Sequence, residues 1–181
     1  MPFDSALQRQ IMGRFATGVA IVTTNHEGVL QGMTANSLTS LSLDPPMVLV
    51  AVSKRNFMCA SLVESGCFAI NLLTAAQQPL SDQFARPGPK DFTKLSTITV
   101  ETGAPIFADA MAYIDCRLVE TVPGGDHDIF IGECVAGAVT GGEPLVFFNG
   151  NYTGLQASAF REHSQSEPIM LEDTYEYYGS F

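Results

Sequence analysis

Apolar positions along this chain change period several times, and each change marks a new element. Phe3, Leu7, Ile11 and Phe15 recur every four residues, which predicts a helix with Asp4 or Ser5 capping its start and Gly18 closing it. Val19–Thr24 then reads as a strand, and Asn25-His26-Glu27-Gly28 as the hairpin turn after it. Residues 29–43 read as extended chain until Asp44-Pro45-Pro46, where proline neither donates to a ladder nor continues it. Met47–Val52 is a continuous apolar run of strand length, which predicts a strand buried on both faces.

Asn56 to Glu64 reads as a short helix ending at Gly66, Phe68–Leu73 as a strand, and Ala75 to Ala85 as a second helix broken by Arg86-Pro87-Gly88-Pro89. From 110 to 121 the pattern has period two. Ala110, Ala112, Ile114, Cys116 and Leu118 face one side, and Tyr113, Asp115, Arg117 and Thr121 the other. Pro123-Gly124-Gly125-Asp126 is a turn, His127–Val139 a long strand, and Leu145–Phe148 with Tyr152 the last packed chain. Strands joined by hairpins, with helices few and irregularly placed, predict an antiparallel barrel of mainly-β or α+β class rather than a doubly wound sheet. GxGxxG and GxxxxGK[ST] are both missing, which disfavours Rossmann and P-loop nucleotide sites.

Composition changes this picture in one respect. With 181 residues the chain fits a single domain, too short for a dinucleotide domain plus a substrate domain. Only 15% of the residues are charged while 46% are hydrophobic. Soluble chains carry about 25% charge, so an interface or a bound cofactor is expected to cover surface. The net charge of −10 comes from the second half: residues 1–90 carry six Lys/Arg and five Asp/Glu, residues 91–181 three and fourteen. An acidic surface repels nucleic acid and anionic lipid. No apolar run approaches the ~20 residues of a membrane span, and Met1-Pro2-Phe3-Asp4 lacks the basic start of a signal peptide, so a cytoplasmic protein is expected. Cys59, Cys67, Cys116 and Cys134 form no CxxC pair and no zinc spacing, so they read as reduced, mostly buried thiols, with no metal expected.

Three stretches carry candidate chemistry. Thr34-Ala35-Asn36-Ser37-Leu38-Thr39-Ser40-Leu41-Ser42 places hydroxyls and an amide on both faces of an extended segment, where a solvated edge strand needs them on one. Neutral donors and acceptors suit a flat heteroaromatic ligand. At Ser53-Lys54-Arg55-Asn56 two cations meet a helix start, a place to hold a phosphate; the plainer alternative is an Asn cap beside two solvated cations. In Gly125–Glu133, His127 stands between two aspartates where a turn enters an apolar strand, either structural or a positioned polar group.

Taken in order, Gly32–Pro46, Gly66–Leu72 and Gly125–Glu133, with Phe15–Val22 before them and Leu145–Phe148 and Tyr152 after, resemble the short-chain flavin reductases. These are the reductase components of two-component flavin-dependent monooxygenases, and the resemblance covers roughly residues 5–155. It implies a homodimeric, flavin-binding split β-barrel of Greek-key type. It further implies oxidation of NADH or NADPH, reduction of FMN or FAD, and release of reduced flavin to a partner monooxygenase. By the same resemblance Thr34, Ala35, Asn36, Ser37 and Ser40 line the flavin ring and ribityl chain, and Ala51, Val52 and Ser53 continue that wall. Asn56 stands at the helix start, Phe84 and Ala85 lie beside the flavin, and His127 borders the nicotinamide as the catalytic-site residue, with Tyr152 near the same face. Where many relatives carry a Ser-Arg-Thr-like segment, this chain has Asn56-Phe57-Met58, which leans toward FAD; the lack of an arginine cluster for a 2′-phosphate leans toward NADH.

The resemblance makes residues 1–160 the reductase-like domain and 161–181 a tail. Beyond Arg161 the tail has five acids, no Lys or Arg, and Tyr175, Tyr177, Tyr178 and Phe181. It reads either as a solubilising extension or as an arm over the partner subunit or the flavin cleft. Two other functions stay open on the same barrel: a flavin storage or sensing protein, and an oxidase of the pyridoxamine-phosphate type.

Overall fold

The computed structural model describes residues 3–155, so the expectations for the acidic, aromatic segment 161–181 lie outside the described residues. The chain starts with α1 (Ser5–Met12), whose first free amides, those of Ala6 and Leu7, are accepted by the Asp4 carboxylate at 3.0 and 2.8 Å. Gly13, not Gly18, ends it. The expected apolar stripe is real, but it faces outward: Phe3 is 69%, Ile11 52% and Phe15 65% exposed, and α1 has no buried residue.

Chain reversals then follow closely. After β1 (Thr17–Gly18) come β2 (Ala20–His26) and β3 (Val29–Ala35), joined by Glu27 and Gly28, both at positive φ as a two-residue hairpin turn requires. Residues Asn36 and Ser37 lead into β4 (Leu38–Leu43), and Asp44-Pro45, a cis peptide, leads into β5 (Pro46–Ser53). Pro46 therefore opens a strand, a position where its missing N–H is tolerated. Helix α2 (Met58–Ser65) ends on Gly66 at φ 65° and feeds β6 (Cys67–Leu72). A 3₁₀ turn (Ala75–Gln77) runs into α3 (Gln78–Ala85), and the short β7 (Thr97–Ile98) and β8 (Ile106–Phe107) pair with each other. The two long strands β9 (Ala112–Gly124) and β10 (His127–Val139) form the main hairpin, and β11 (Val146–Phe148) and β12 (Asn151–Thr153) close against β1.

Seven strands form one antiparallel sheet in the order β3-β2-β6-β9-β10-β5-β4. A single core, including Val22, Val50, Phe68, Ile70, Cys116 and Phe130, draws on strands along that sheet, which therefore curls around it, and α2 adds Met58 and Leu62. The two end strands, β3 and β4, follow each other in the chain without pairing: the barrel is split there. A second core (Val19, Ile21, Leu73, Phe84, Phe107, Leu145) lies on the outside of the sheet beneath α3 and the segment after it.

One expectation about a face is corrected. Along β5 only Val48, Val50 and Val52 are buried, alternating with half-buried Leu49, Ala51 and Ser53, so its apolar run reflects a core face plus an outer face that this chain alone does not cover. Asp115, on the face of β9 opposite Ile114 and Cys116, is fully buried. The segment 99–107 crosses that face, and Asp115 accepts hydrogen bonds from the amides of Glu101 and Thr102 and from the Thr102 hydroxyl. All four cysteines are free; Cys67 and Cys116 are buried, Cys59 and Cys134 half-buried. Burial first, then the neighbouring Cys134, pushes the Cys116 thiol far above its ordinary range. Among the described residues no helix is long and apolar enough to cross a membrane, and no cluster of His, Cys, Asp and Glu is placed to hold a metal.

Candidate functional site

Two cavities among the described residues lie along the split between β3 and β4. The larger, about 880 Å³, is lined by Ala35, Asn36, Ser37 and Leu38 on one side and by Met12, Phe15 and Phe147 on the other. The Ser37 hydroxyl donates to the Ala51 carbonyl at 2.7 Å, tying the joint to β5, and the Asn36 amide donates to the Thr17 hydroxyl at 3.2 Å. Met12 at the end of α1 and Phe15 just beyond it, both exposed in the single chain, thus face the same cavity as the polar residues of the joint.

The second cavity, about 280 Å³, brings together Thr34, Ser53, Asn56, Phe84 and Ala85 from three separate parts of the chain. Arg55, Arg86 and Lys90 also line it, and none of its described lining residues is acidic. In a chain of net charge −10 this is a local concentration of positive charge suited to a phosphate. Lys90 is held by the carbonyls of Gln83 and Arg86. Burial, and after it the Arg86 guanidinium, lowers its pKa from the usual lysine range, so an anion here would be favoured by both cations.

The wall of this cavity needs a glycine. A Cβ on Gly32 would stand 2.8 Å from Phe84 Cε1 and 3.2 Å from Thr23 Cγ2. Phe84 is 1% exposed and fixed edge-on between Phe92 and Phe107, at ring distances of 5.4 and 5.5 Å. Thr34 donates its hydroxyl to the Ser81 carbonyl at 2.6 Å, which seats α3, and with it Phe84 and Ala85, against β3. Asn56 does two things at once: its side-chain oxygen accepts from the amide of Met58, the first residue of α2, at 3.0 Å, and it lines the cavity.

His127 and Ser53 are register partners across β10 and β5, so the tip of the β9–β10 hairpin abuts the turn 53–56. His127 is half-buried, and its Nδ1–H donates to the Asp126 carboxylate at 2.7 Å. That bond, followed by the charge on His127, holds the Asp126 carboxyl below its usual range. Lys54, grouped by sequence with Arg55 as a phosphate ligand, turns the other way: its Nζ donates to the Gly125 carbonyl at 2.7 Å and lies 3.7 Å from the Asp128 carboxylate.

The remaining sequence-derived positions scatter. Val52 is fully buried with its side chain in the barrel core, so only its backbone faces the joint. Ala51 offers its carbonyl to Ser37, and Ser40 is exposed on β4 opposite Val48. Tyr152 packs edge-on against Phe147 at 5.5 Å, its hydroxyl 2.8 Å from that of Ser81, within the second core. Arg86, Lys90 and Gly32 are the members that sequence reasoning missed. Arg86-Pro87-Gly88-Pro89 reads as a helix breaker, and its charge became meaningful only when α3 was docked beside Arg55.

The family model described as "Flavin reductase like domain" matches residues 12–156. The reductase component of a 4-nitrophenol 4-monooxygenase/4-nitrocatechol 2-monooxygenase from Rhodococcus opacus is 38% identical over 151 residues, covering 83% of this chain and 81% of the relative. An NADH-dependent flavin reductase from a Rhodococcus species is also 38% identical, covering 82% and 85%. Among solved structures, the NADH:FAD oxidoreductase SgcE6 of Streptomyces globisporus, in complex with NAD and FAD fragments, superposes with a TM-score of 0.80 at 35% identity, covering 86% of this chain and 95% of that one.

Proposed function

This chain belongs to the flavin reductase-like family, and on that footing we propose that the two cavities and the hairpin tip beside them are the working parts of an NAD(P)H:flavin oxidoreductase. It acts as the reductase component of a two-component monooxygenase, the role named for its relatives. The observation that carries the reading is the small cavity, where three cations without an acid adjoin the Thr34, Ser53, Phe84 and Ala85 wall. Such a donor set fits the phosphate end of FMN or the pyrophosphate of FAD. Arg86 and Lys90 supply from across the cavity the cations that Asn56-Phe57-Met58 lacks, so the sequence-based lean toward FAD loses its basis. NADH, rather than NADPH, remains the proposed donor.

Bound flavin and nicotinamide supply the hydride chemistry themselves, and the protein supplies binding, orientation and electrostatics. Arg55, Arg86 and Lys90 hold the phosphate, and Gly32 and Phe84 set the depth of the wall. Thr34, Ala35, Asn36 and Ser37, with Ser53 and the backbone of Ala51 and Val52, form the neutral surface for the ring and ribityl chain, while Ser40, exposed on β4, lies outside both cavities. The Asp126 carboxylate holds Nδ1–H of His127, leaving Nε2 for a bound nicotinamide. Tyr152 acts at one remove, steadying Ser81 and through it α3.

The protein works in the cytoplasm as a homodimer. Supporting the dimer are the bare apolar stripe of α1 and the half-buried outer side of β5, both facing out of the single chain. Residues 1–160 form the reductase unit and 161–181 a tail, whose deletion from residue 162 onward changes flavin affinity or dimer stability.

The deciding experiment mixes purified protein with FAD or FMN and NADH or NADPH and follows the nicotinamide absorbance. Rapid flavin-dependent oxidation is the expected outcome. No oxidation in any of the four pairings overturns the reading.

A further inference from the structure

Lys54, unlike its chain neighbour Arg55, does not line the small cavity, and it grips the β9–β10 tip at three points. Its backbone amide donates to the Asp126 carbonyl at 3.0 Å, its Nζ donates to the Gly125 carbonyl at 2.7 Å, and the same Nζ lies 3.7 Å from Asp128. Those partners flank His127 on both sides, and Gly125 sits at φ 71°, a reversal that few residues other than glycine hold without help. The next residue, Arg55, points into the cation cavity, and the Asn56 amide closes the turn on the Ser53 carbonyl at 2.8 Å. One four-residue turn therefore carries a phosphate-side cation and, next to it, the clamp on the histidine side.

We propose that Lys54 is a positioning residue for His127: it fixes the hairpin tip so that the imidazole stands at the nicotinamide side of the site, and it takes no part in holding the flavin phosphate. This rests on the reading of His127 as a neighbour of the nicotinamide. The geometry separates Lys54 from Arg55 by function although they are adjacent in sequence. It also explains why a cation is useful there: the tip offers two carbonyls and two carboxylates and has no Lys or Arg of its own among residues 124–128. Lys54 is 43% exposed, so its clamp is of the partly screened kind and its removal is expected to act several-fold rather than by orders of magnitude.

The test compares Lys54→Met, Lys54→Arg and His127→Ala with the unmodified protein. Lys54→Met is expected to raise KM for NADH by about three- to fivefold while the Kd for FMN or FAD, from fluorescence quenching, stays within about twofold. In flavin-free protein, amide exchange at residues 124–128 should quicken by a similar factor and the His127 imidazole resonances should shift. Lys54→Arg, which can still reach both a carbonyl and a carboxylate, should restore all of these. An unchanged KM and unchanged exchange in Lys54→Met overturn the proposal. So does a flavin Kd that rises in step with KM, since Lys54 would then act on the phosphate or on the whole turn. If His127→Ala raises KM while Lys54→Met does not, the clamp alone fails. If His127→Ala changes nothing, the placement of the nicotinamide fails and the clamp falls with it.

Discussion

Gly32→Ala tests the packing on which the small cavity depends. The added Cβ would stand 2.8 Å from Phe84 Cε1, 3.0 Å from Cδ1 and 3.2 Å from Thr23 Cγ2. Carbon atoms rest comfortably at about 3.5–4.0 Å, so the Phe84 ring must retreat by roughly 0.7–1 Å. It has little room to do so, being 1% exposed and wedged edge-on against Phe92 and Phe107. Overpacking of this kind costs about 1–3 kcal/mol. Gly32 is not at positive φ, so alanine also gains about 0.4–1 kcal/mol by restricting the unfolded chain, and with Phe84 this tightly held the middle of the two ranges applies, a net loss of about 1–2 kcal/mol. At about 2–4 °C per kcal/mol for a chain of this size, Tm should fall by roughly 2–8 °C. Flavin affinity should fall with it, because Ala85 and Arg86 follow Phe84 directly. Thermal unfolding and flavin quenching measure the two effects, and Phe84→Leu provides the control. With the ring gone, the added methyl should cost less than about 0.5 kcal/mol, a coupling that a double-mutant cycle reads directly. Gly32→Ala with an unchanged or higher Tm, or the same loss in the Phe84→Leu background, refutes the close-contact reasoning.

Other expectations follow from single contacts. Arg86→Ala should weaken FMN and FAD by about tenfold, the worth of a charge-assisted hydrogen bond, and leave riboflavin binding unchanged in the same titration. The lowered pKa of Lys90 sets a pH limb. A bound anion favours the charged amine, so flavin affinity should be full at low pH and decline as pH rises through the free-protein Lys90 pKa, below the usual lysine range; Lys90→Arg should carry the limb upward in Kd measured against pH. Asp115→Asn turns an amide toward the Glu101 and Thr102 donors and should cost about 1–3 kcal/mol in urea unfolding, with m unchanged. Iodoacetamide at mildly alkaline pH should spare Cys116 in the folded protein and label it in urea, read by mass spectrometry.

The strands were legible in the chain because period-two alternation and turn residues are local properties, as at Asn25–Gly28 and Pro123–Asp126. What alternation does not report is what lies on each face. Asp115 occupies a polar slot in the pattern, yet 99–107 folds over it, and only its three donors explain the burial. The Met47–Val52 run is apolar throughout, although one face is buried in the barrel core and the other is only half-buried. The site divided the same way. Thr34–Ser37 was visible from its unusual density of neutral polar groups. Lys54 and Arg55 were indistinguishable as adjacent cations until the strand end oriented them oppositely. Arg86 and Lys90 needed the long-range docking of α3 against β3, which no window of sequence contains.

The split between β3 and β4 has a kinetic meaning. A closed barrel can widen only by tearing ladder hydrogen bonds, whereas these neighbours in the chain share none. Two side-chain bonds tether the joint to its surroundings, Ser37 to the Ala51 carbonyl and Asn36 to Thr17, while α2 touches β3 on one side and β5 on the other. A seam of this kind can gape and reseal without the sheet losing order. On the flavin placement proposed above, Asn36 and Ser37 would set the rate at which reduced flavin leaves, independently of how hard the barrel is to melt.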